Sequence, residues 1–135
     1  MAGIPCVAVI IKNSHDQVLL LLRDNKLGLS FANHWTLPGG RVEFNETIEA
    51  AAQREVQEEI VLELPLLAWK TYERITRDVL IEQHVFVSAS DHSLVEMTLG
   101  EGQALRFFGE EDIPILPIGF EFEKLLAEFF REKPI

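Results

Sequence analysis

Apolar residues recur along this chain in two rhythms, one suited to strands and one to helices. Val7–Lys12 and Gln17–Arg23 are short apolar runs rich in Val, Ile and Leu, and Asn13-Ser14-His15-Asp16 between them is a turn-forming cluster. The pair reads as a β-hairpin. Asp24–His34 is polar and contains glycine, the composition of a surface loop. Trp35–Leu37 reads as a short strand stopped by Pro38-Gly39-Gly40. Glu46–Ile60 lacks Gly and Pro and is rich in Ala, Glu, Gln and Arg, so it is predicted to be helical. Its Ile48, Ala51, Ala52 and Val56 fall at helical spacing and make one buried stripe. Leu66–Tyr72 and Val79–Ser88 read as strands around a polar turn, Arg74–Asp78. Ala89–Ser93 reads as a loop, followed by strands at Leu94–Leu99 and Ala104–Phe108. Phe120–Arg131 carries Phe122, Leu125, Leu126, Phe129 and Phe130 at helical spacing, an amphipathic helix for packing on the sheet. Strands, helix, strands, helix in that order predict an α/β fold, a mixed sheet sandwiched between helices.

A chain of 135 residues suits one domain over 1–135, and no repeat, low-complexity tract or linker divides it. Hydrophobic residues make up 47%, enough for a core, so disorder is excluded. The longest apolar runs are too short to span a bilayer. Met1–Cys6 lacks the basic flank and cleavage pattern of a secretory signal. The expectation is a cytoplasmic protein without a membrane partner. Cys6 is the single cysteine, which rules out an intrachain disulfide and thiolate metal cages and predicts a buried structural thiol. Net charge is −10, from 22 acidic and 12 basic residues. Such a surface repels double-stranded nucleic acid. It can still hold a small phosphate compound if cations bridge the two anions.

Glu55, Glu58 and Glu59 stand at i, i+3 and i+4 of the first predicted helix and share one face. Like charges at that spacing cost about 0.2–0.5 kcal/mol per pair. Solvent offsets this on an exposed face, the ordinary reading of an acidic run. Divalent cations offset it better, and all-oxygen donors select hard ions such as Mg²⁺ or Mn²⁺ over zinc. Neighbouring residues favour the second reading. Gly39 and Gly40 lie just upstream, where backbone can approach a ligand. Arg54 can clamp a carboxylate through two hydrogen bonds, and Ala51 and Ala52 let the helix lie close to the sheet.

The stretch from Gly40 through Glu46 to Arg54-Glu55-Val56-Gln57-Glu58-Glu59 and on to Leu62 resembles the Nudix box. That motif runs Gly, five residues, Glu, seven residues, Arg-Glu-aliphatic-any-Glu-Glu, any residue, Gly, aliphatic. Every position matches but one: Val61 stands where the motif has glycine. That glycine ends the helix in a left-handed turn, so Val61 predicts a different exit geometry. The resemblance extends weakly over the chain through strand order and the Trp35–Gly40 approach. It implies a Nudix-type α/β/α sandwich, MutT-like.

Carried over by position, the resemblance implies that Glu55, Glu58 and Glu59 ligate metal with the Gly39 carbonyl, while Arg54 and Glu46 orient the carboxylates. Arg41 sits where MutT-like members place a cation facing substrate phosphates; alone it is equally a solvated arginine. Gly100–Gln103 is similar to a loop that supplies a further glutamate, making Glu101 a candidate ligand or general base, with Glu96 and Glu82 behind it. The implied activity is Mg²⁺-dependent hydrolysis of a phosphoanhydride by water attack at phosphorus, with no covalent intermediate. Members favouring ADP-ribose or dinucleoside polyphosphates tend to carry Pro or Tyr a fixed distance beyond the box. Arg77, Asp78, Val79 and Leu80 stand there, tilting the reading towards a nucleoside triphosphate pyrophosphohydrolase. Phe31, Asn33, His34, Trp35 and Phe120 are candidates for base recognition, Trp35 and Phe120 reading equally as core. Leu116–Phe120 lacks the Asn with which MutT-like members often read a purine, so damaged-guanine specificity is unsupported. A nucleotide sugar or other X-linked diphosphate is the alternative substrate. The rival classes are a silent nucleotide-binding domain and an acidic structural protein. A homodimer is compatible with the resemblance.

Overall fold

Side chains alternate along a strand, and in this protein both sets of the first strand are buried. Val7, Val9 and Ile11 pack on one side of the sheet, Ala8 and Ile10 on the other. The computed structural model describes residues 3–135, so the expectation drawn from Met1 and Ala2 lies outside the described residues.

The strands are β1 (Ile4–Lys12), β2 (Val18–Leu22), β3 (Trp35–Thr36), β4 (Gly39–Arg41), β5 (Leu67–Thr76), β6 (Val79–Ala89) and β7 (Ala104–Phe108). Two helices, α1 (Ile48–Ile60) and α2 (Phe122–Glu132), complete the fold. The strands form one mixed sheet of order β3-β2-β1-β6-β5, with β4 on β1 and β7 on β2. β1 runs parallel to β6 from Ile4↔Ile81 to Lys12↔Ala89. A parallel pair needs a long crossover, and α1 lies within it. The stripe Ala51, Ala52, Val56 and Ile60 packs against Val7, Val9, Ile11 and Phe86. On the opposite face Leu125, Leu126 and Phe129 of α2 cover Ala8, Ile10, Val18 and Leu20. This is the α/β/α sandwich that the pattern predicts.

Five expectations need correction. β1 and β2 are antiparallel, but their register contains only Lys12↔Val18; β1 spends its length on β6 and β4 instead. Gly39-Gly40 does not simply stop a strand: it forms β4, paired Val7↔Gly40 and Ala8↔Gly39. A side chain at Gly39 would run into the Val7 carbonyl oxygen, so glycine is what allows this pairing. The turn between β5 and β6 is only Arg77-Asp78, both left-handed (φ 51° and 63°), as tight hairpins require. Arg74 therefore belongs to a strand. Leu94–Leu99 is not a strand; Leu94–Glu96 is a 3₁₀ turn. Just beyond it the Thr98 and Gly100 N–H groups donate to the Ile60 and Glu59 carbonyls (3.1 and 2.9 Å), satisfying acceptors that the end of α1 leaves open.

The fifth concerns the end of α1. Thr47 caps its start, accepting from Ala50 N–H. At its end Val61 adopts the left-handed conformation after all (φ 56°, ψ 49°), its N–H donating to Gln57 O. The exit geometry is the one a glycine would give, held by a β-branched residue at a cost of about 1–2 kcal/mol. A short 3₁₀ segment, Glu110–Ile115, had no counterpart in the sequence pattern. Among the described residues no helix is long and apolar enough to cross a membrane.

Candidate functional site

Helical spacing places Glu55 and Glu59 one turn apart, on the side of α1 that meets β4. Each is only 9% exposed. Gly40 makes room for this, since a Cβ there would stand 2.6 Å from Glu55 Oε1. The Gly39 N–H donates to Glu59 Oε2 at 3.2 Å. Burial, then the neighbouring Glu55 charge, pushes the Glu59 carboxyl up to about 9. Burial also raises Glu55, against the pull of Arg54. Two buried carboxyls this close cannot both ionise without a cation.

Arg54 is the fixed point of the cluster. Its Nε and Nη2 donate to the two Glu46 oxygens (2.7 and 3.0 Å). Nη1 reaches Glu55 Oε1 at 2.8 Å and Glu58 Oε2 at 3.2 Å, and Nη2 also reaches the Arg41 carbonyl. The hydrogen bonds to Arg54 hold Glu46 below its ordinary value. Glu58 differs from its neighbours: its side chain is 57% exposed. Accordingly, among the described residues no three Asp, Glu, His or Cys side chains converge on one point as they stand. The donor set nevertheless fits a hard divalent cation, because it is all oxygen and Arg54 pairs with Glu55 but makes no ion pair with the buried Glu59 beside it.

A cleft of about 330 Å³ opens beside this cluster. Gly39, Gly40, Arg41, Glu59 and Glu101 line it, and the Glu101 charge adds to the rise at Glu59. The loop carrying Glu101 is fastened to α1 by Gly100 and to β2 by Gln103, whose N–H donates to Leu22 O at 2.8 Å. Glu82 hydrogen-bonds His84 and Glu96 supports the Ser93 turn; neither lines the cleft. Of the base-recognition candidates, Phe120 alone lines it. Trp35 is a core residue, 8% exposed and edge-on to Phe108 at 4.8 Å. Asn33 is exposed and accepts from Gln103 Nε2 at 2.9 Å, bracing the Glu101 loop instead. Cys6 is half-buried and lines the cleft, where burial raises its thiol and keeps it protonated.

A second cluster in the same cleft escaped the sequence reading. Arg74 of β5 donates from Nε to Gln83 Oε1 of β6 at 2.9 Å. The Arg23 and Arg74 guanidiniums lie 5.1 and 5.3 Å from the Phe120 ring centre. Burial lowers both arginines, yet both remain cations. Only the correct strand boundary at Arg74 could have pointed to this group.

Comparison with known proteins agrees with this geometry. A profile of the NUDIX domain matches residues 4–129. The m7GpppN-mRNA hydrolase NUDT17 of Xenopus laevis is 41% identical over 63 residues, 47% of this chain and 21% of that protein. The aligned part is thus about a fifth of that relative's length. The MutT protein of Methanosarcina mazei Go1 superposes with a TM-score of 0.83 at 23% identity, over 98% of this chain and 96% of that one. The NUDIX domain of Shewanella oneidensis NrtR, solved with ADP ribose, superposes at 0.79 with 21% identity over 100% and 90%. At such identities the structural likeness establishes the fold.

Proposed function

The chain belongs to the Nudix family of hydrolases, and from that premise we propose that it hydrolyses a phosphoanhydride bond of a nucleoside triphosphate or related nucleoside diphosphate derivative. The observation that carries this reading is the buried Glu55–Glu59 pair, whose Glu59 opens with Glu101 into a cleft that also holds Arg23 and Arg41. An acidic protein of charge −10 can hold a polyphosphate only where its own carboxylates are neutralised, and this cleft supplies both halves of that arrangement.

Nudix hydrolases generally use divalent metals, and Mg²⁺, with Mn²⁺ as substitute, suits oxygen donors. Glu55, Glu59, Glu58, Glu101 and the Gly39 carbonyl would hold it, Glu58 after turning from Arg54. When bound, the cation neutralises phosphate oxygens and acidifies water. The remaining work falls to the chain. Arg54 and Glu46 keep Glu55 in one orientation. Arg41 faces the substrate phosphates. Glu101 takes the proton as water attacks phosphorus and the bridging P–O bond breaks, giving the monophosphate and pyrophosphate from a triphosphate. Cys6, protonated in the cleft wall, is not a nucleophile.

The test is product analysis over nucleoside triphosphates, ADP-ribose, nucleotide sugars and dinucleoside polyphosphates, with and without Mg²⁺. Mg²⁺-dependent release of pyrophosphate from a triphosphate is expected. Glu58's engagement by Arg54 favours a second reading, a silent nucleotide-binding domain. Binding without turnover across the whole panel would select it.

A further inference from the structure

We propose that Gln83 and Arg74 act as a paired hydrogen-bond donor that selects nucleotides whose base presents two adjacent acceptors, as guanine does at O6 and N7 and cytosine at O2 and N3. The inference rests on the nucleotide reading of the cleft and deepens it. Gln83 is 1% exposed, its Oε1 fixed by Arg74 Nε at 2.9 Å. That bond sets which way round the amide lies, because only the oxygen can accept. It leaves Gln83 Nε2, a buried donor, with no hydrogen-bond partner. Buried donors in native proteins are nearly always satisfied, and Gln83 lines the cleft. A bound molecule is the natural source of the missing acceptor.

Arg74 narrows the choice. Its Nε serves Gln83 and its Nη1 the Thr76 hydroxyl, while among the described residues Nη2 has no partner. Phe120 buttresses the guanidinium at 5.3 Å. The pair therefore offers one buried donor without a partner, Gln83 Nε2, and beside it the Arg74 Nη2 group, on side chains already joined to each other, while Gln83 Oε1 is taken and offers no acceptor next to them. Adenine meets such a pair with a donor at N6 beside N7, and uracil with N3–H beside either carbonyl. A guanine oxidised at C8 carries a proton on N7 and loses the match as well. A phosphate would also accept from both groups, but it would do so whatever the base.

The experiment compares wild type, Gln83→Met and Gln83→Glu on GTP, CTP, ATP and UTP, with binding of the four α,β-methylene analogues measured in parallel. Gln83→Met removes the amide at similar volume; Gln83→Glu keeps an acceptor for Arg74 and removes the donor. Wild type is expected to favour GTP and CTP over ATP and UTP by about tenfold or more in kcat/KM. Both variants should raise KM for GTP and CTP about tenfold with kcat nearly unchanged, leaving ATP and UTP within about twofold. Equal losses on all four nucleotides would assign the pair to phosphate and overturn the inference, as would a wild type without base preference. The wild-type comparison decides the matter even if neither variant folds. Turnover without base preference removes this inference alone. Base-selective binding without turnover removes the hydrolase reading alone.

Discussion

Glu59 of the α1 carboxylates and the Arg74–Gln83 pair line the same cleft, yet the two clusters are assembled in opposite ways. Glu55, Glu58 and Glu59 come from consecutive turns of one helix, so 3.6-residue geometry brings them together before any tertiary contact forms. Arg74, Gln83 and Phe120 come from β5, β6 and the approach to α2, and meet only through sheet register and the packing of α2. Chemistry that must be rigid and shared by many substrates suits the first construction. Selection of one substrate suits the second, where single residues change without disturbing a motif.

If the α1 cluster is the reactive half, its loss should be the most damaging change in the molecule. Glu59→Gln is expected to lower kcat/KM by more than the roughly 10–100-fold typical of residues that only orient ligands, measured at saturating Mg²⁺ on the best substrate. Wild-type-like turnover would break the division between the two clusters. The same variant has a pH signature. Glu59 lies near 4.5 in an unfolded chain and about 9 in the folded one, so the folded state holds the extra proton across that interval. Metal-free protein should therefore keep this contribution below about pH 4.5 and lose it as pH rises towards 9. Thermal melts in EDTA should show the decline in wild type, and Glu59→Gln should flatten it. Glu46, lowered by Arg54, acts in the opposite sense and only at more acid pH.

Arg54→Lys probes the support of the cluster. A lysine has no planar fork, so it cannot hold both Glu46 oxygens and Glu55 as Arg54 does. Apparent Mg²⁺ affinity should fall about 10–100-fold, with kcat largely recovered at high Mg²⁺. A Mg²⁺ titration unchanged from wild type would show that the carboxylates orient themselves.

The two constructions also explain what was legible in the sequence. The helices, most strands and the glutamate face follow from local periodicity and could be read directly. Five features could not. β1 is antiparallel to β2 yet barely paired with it, because its long partner is β6, whose paired residues lie 77 positions further along the chain, from Ile4↔Ile81 to Lys12↔Ala89. Gly39-Gly40 looks like a breaker until the backbone of β1 lies against it. Leu94–Leu99 has strand-like composition, but its Thr98 N–H, with that of Gly100 just beyond, is used to finish α1. Trp35 and Phe120 are both aromatic and ambiguous alone; packing sends one to the core and the other to the cleft. Arg74 was hidden by a turn drawn three residues too long.

Val61 belongs to the legible cluster, but there the residue type and the backbone disagree. The spacing of the box demands a left-handed residue after Ile60, and the loop carrying Glu101 depends on it through the Ile60 and Glu59 carbonyls. The structure keeps the geometry and places the strain on a β-branched residue that is 44% exposed. Val61→Gly should relieve about 1–2 kcal/mol of left-handed strain, offset by about 0.5–1 kcal/mol of extra chain entropy in the unfolded state. The net gain is about 0.5–1 kcal/mol, read from urea unfolding with an unchanged m-value. Activity should stay close to wild type, because Val61 does not line the cleft. A loss of stability would mean that the valine makes contacts outweighing its strain, and that its place at the end of α1 is a packing solution rather than a tolerated departure.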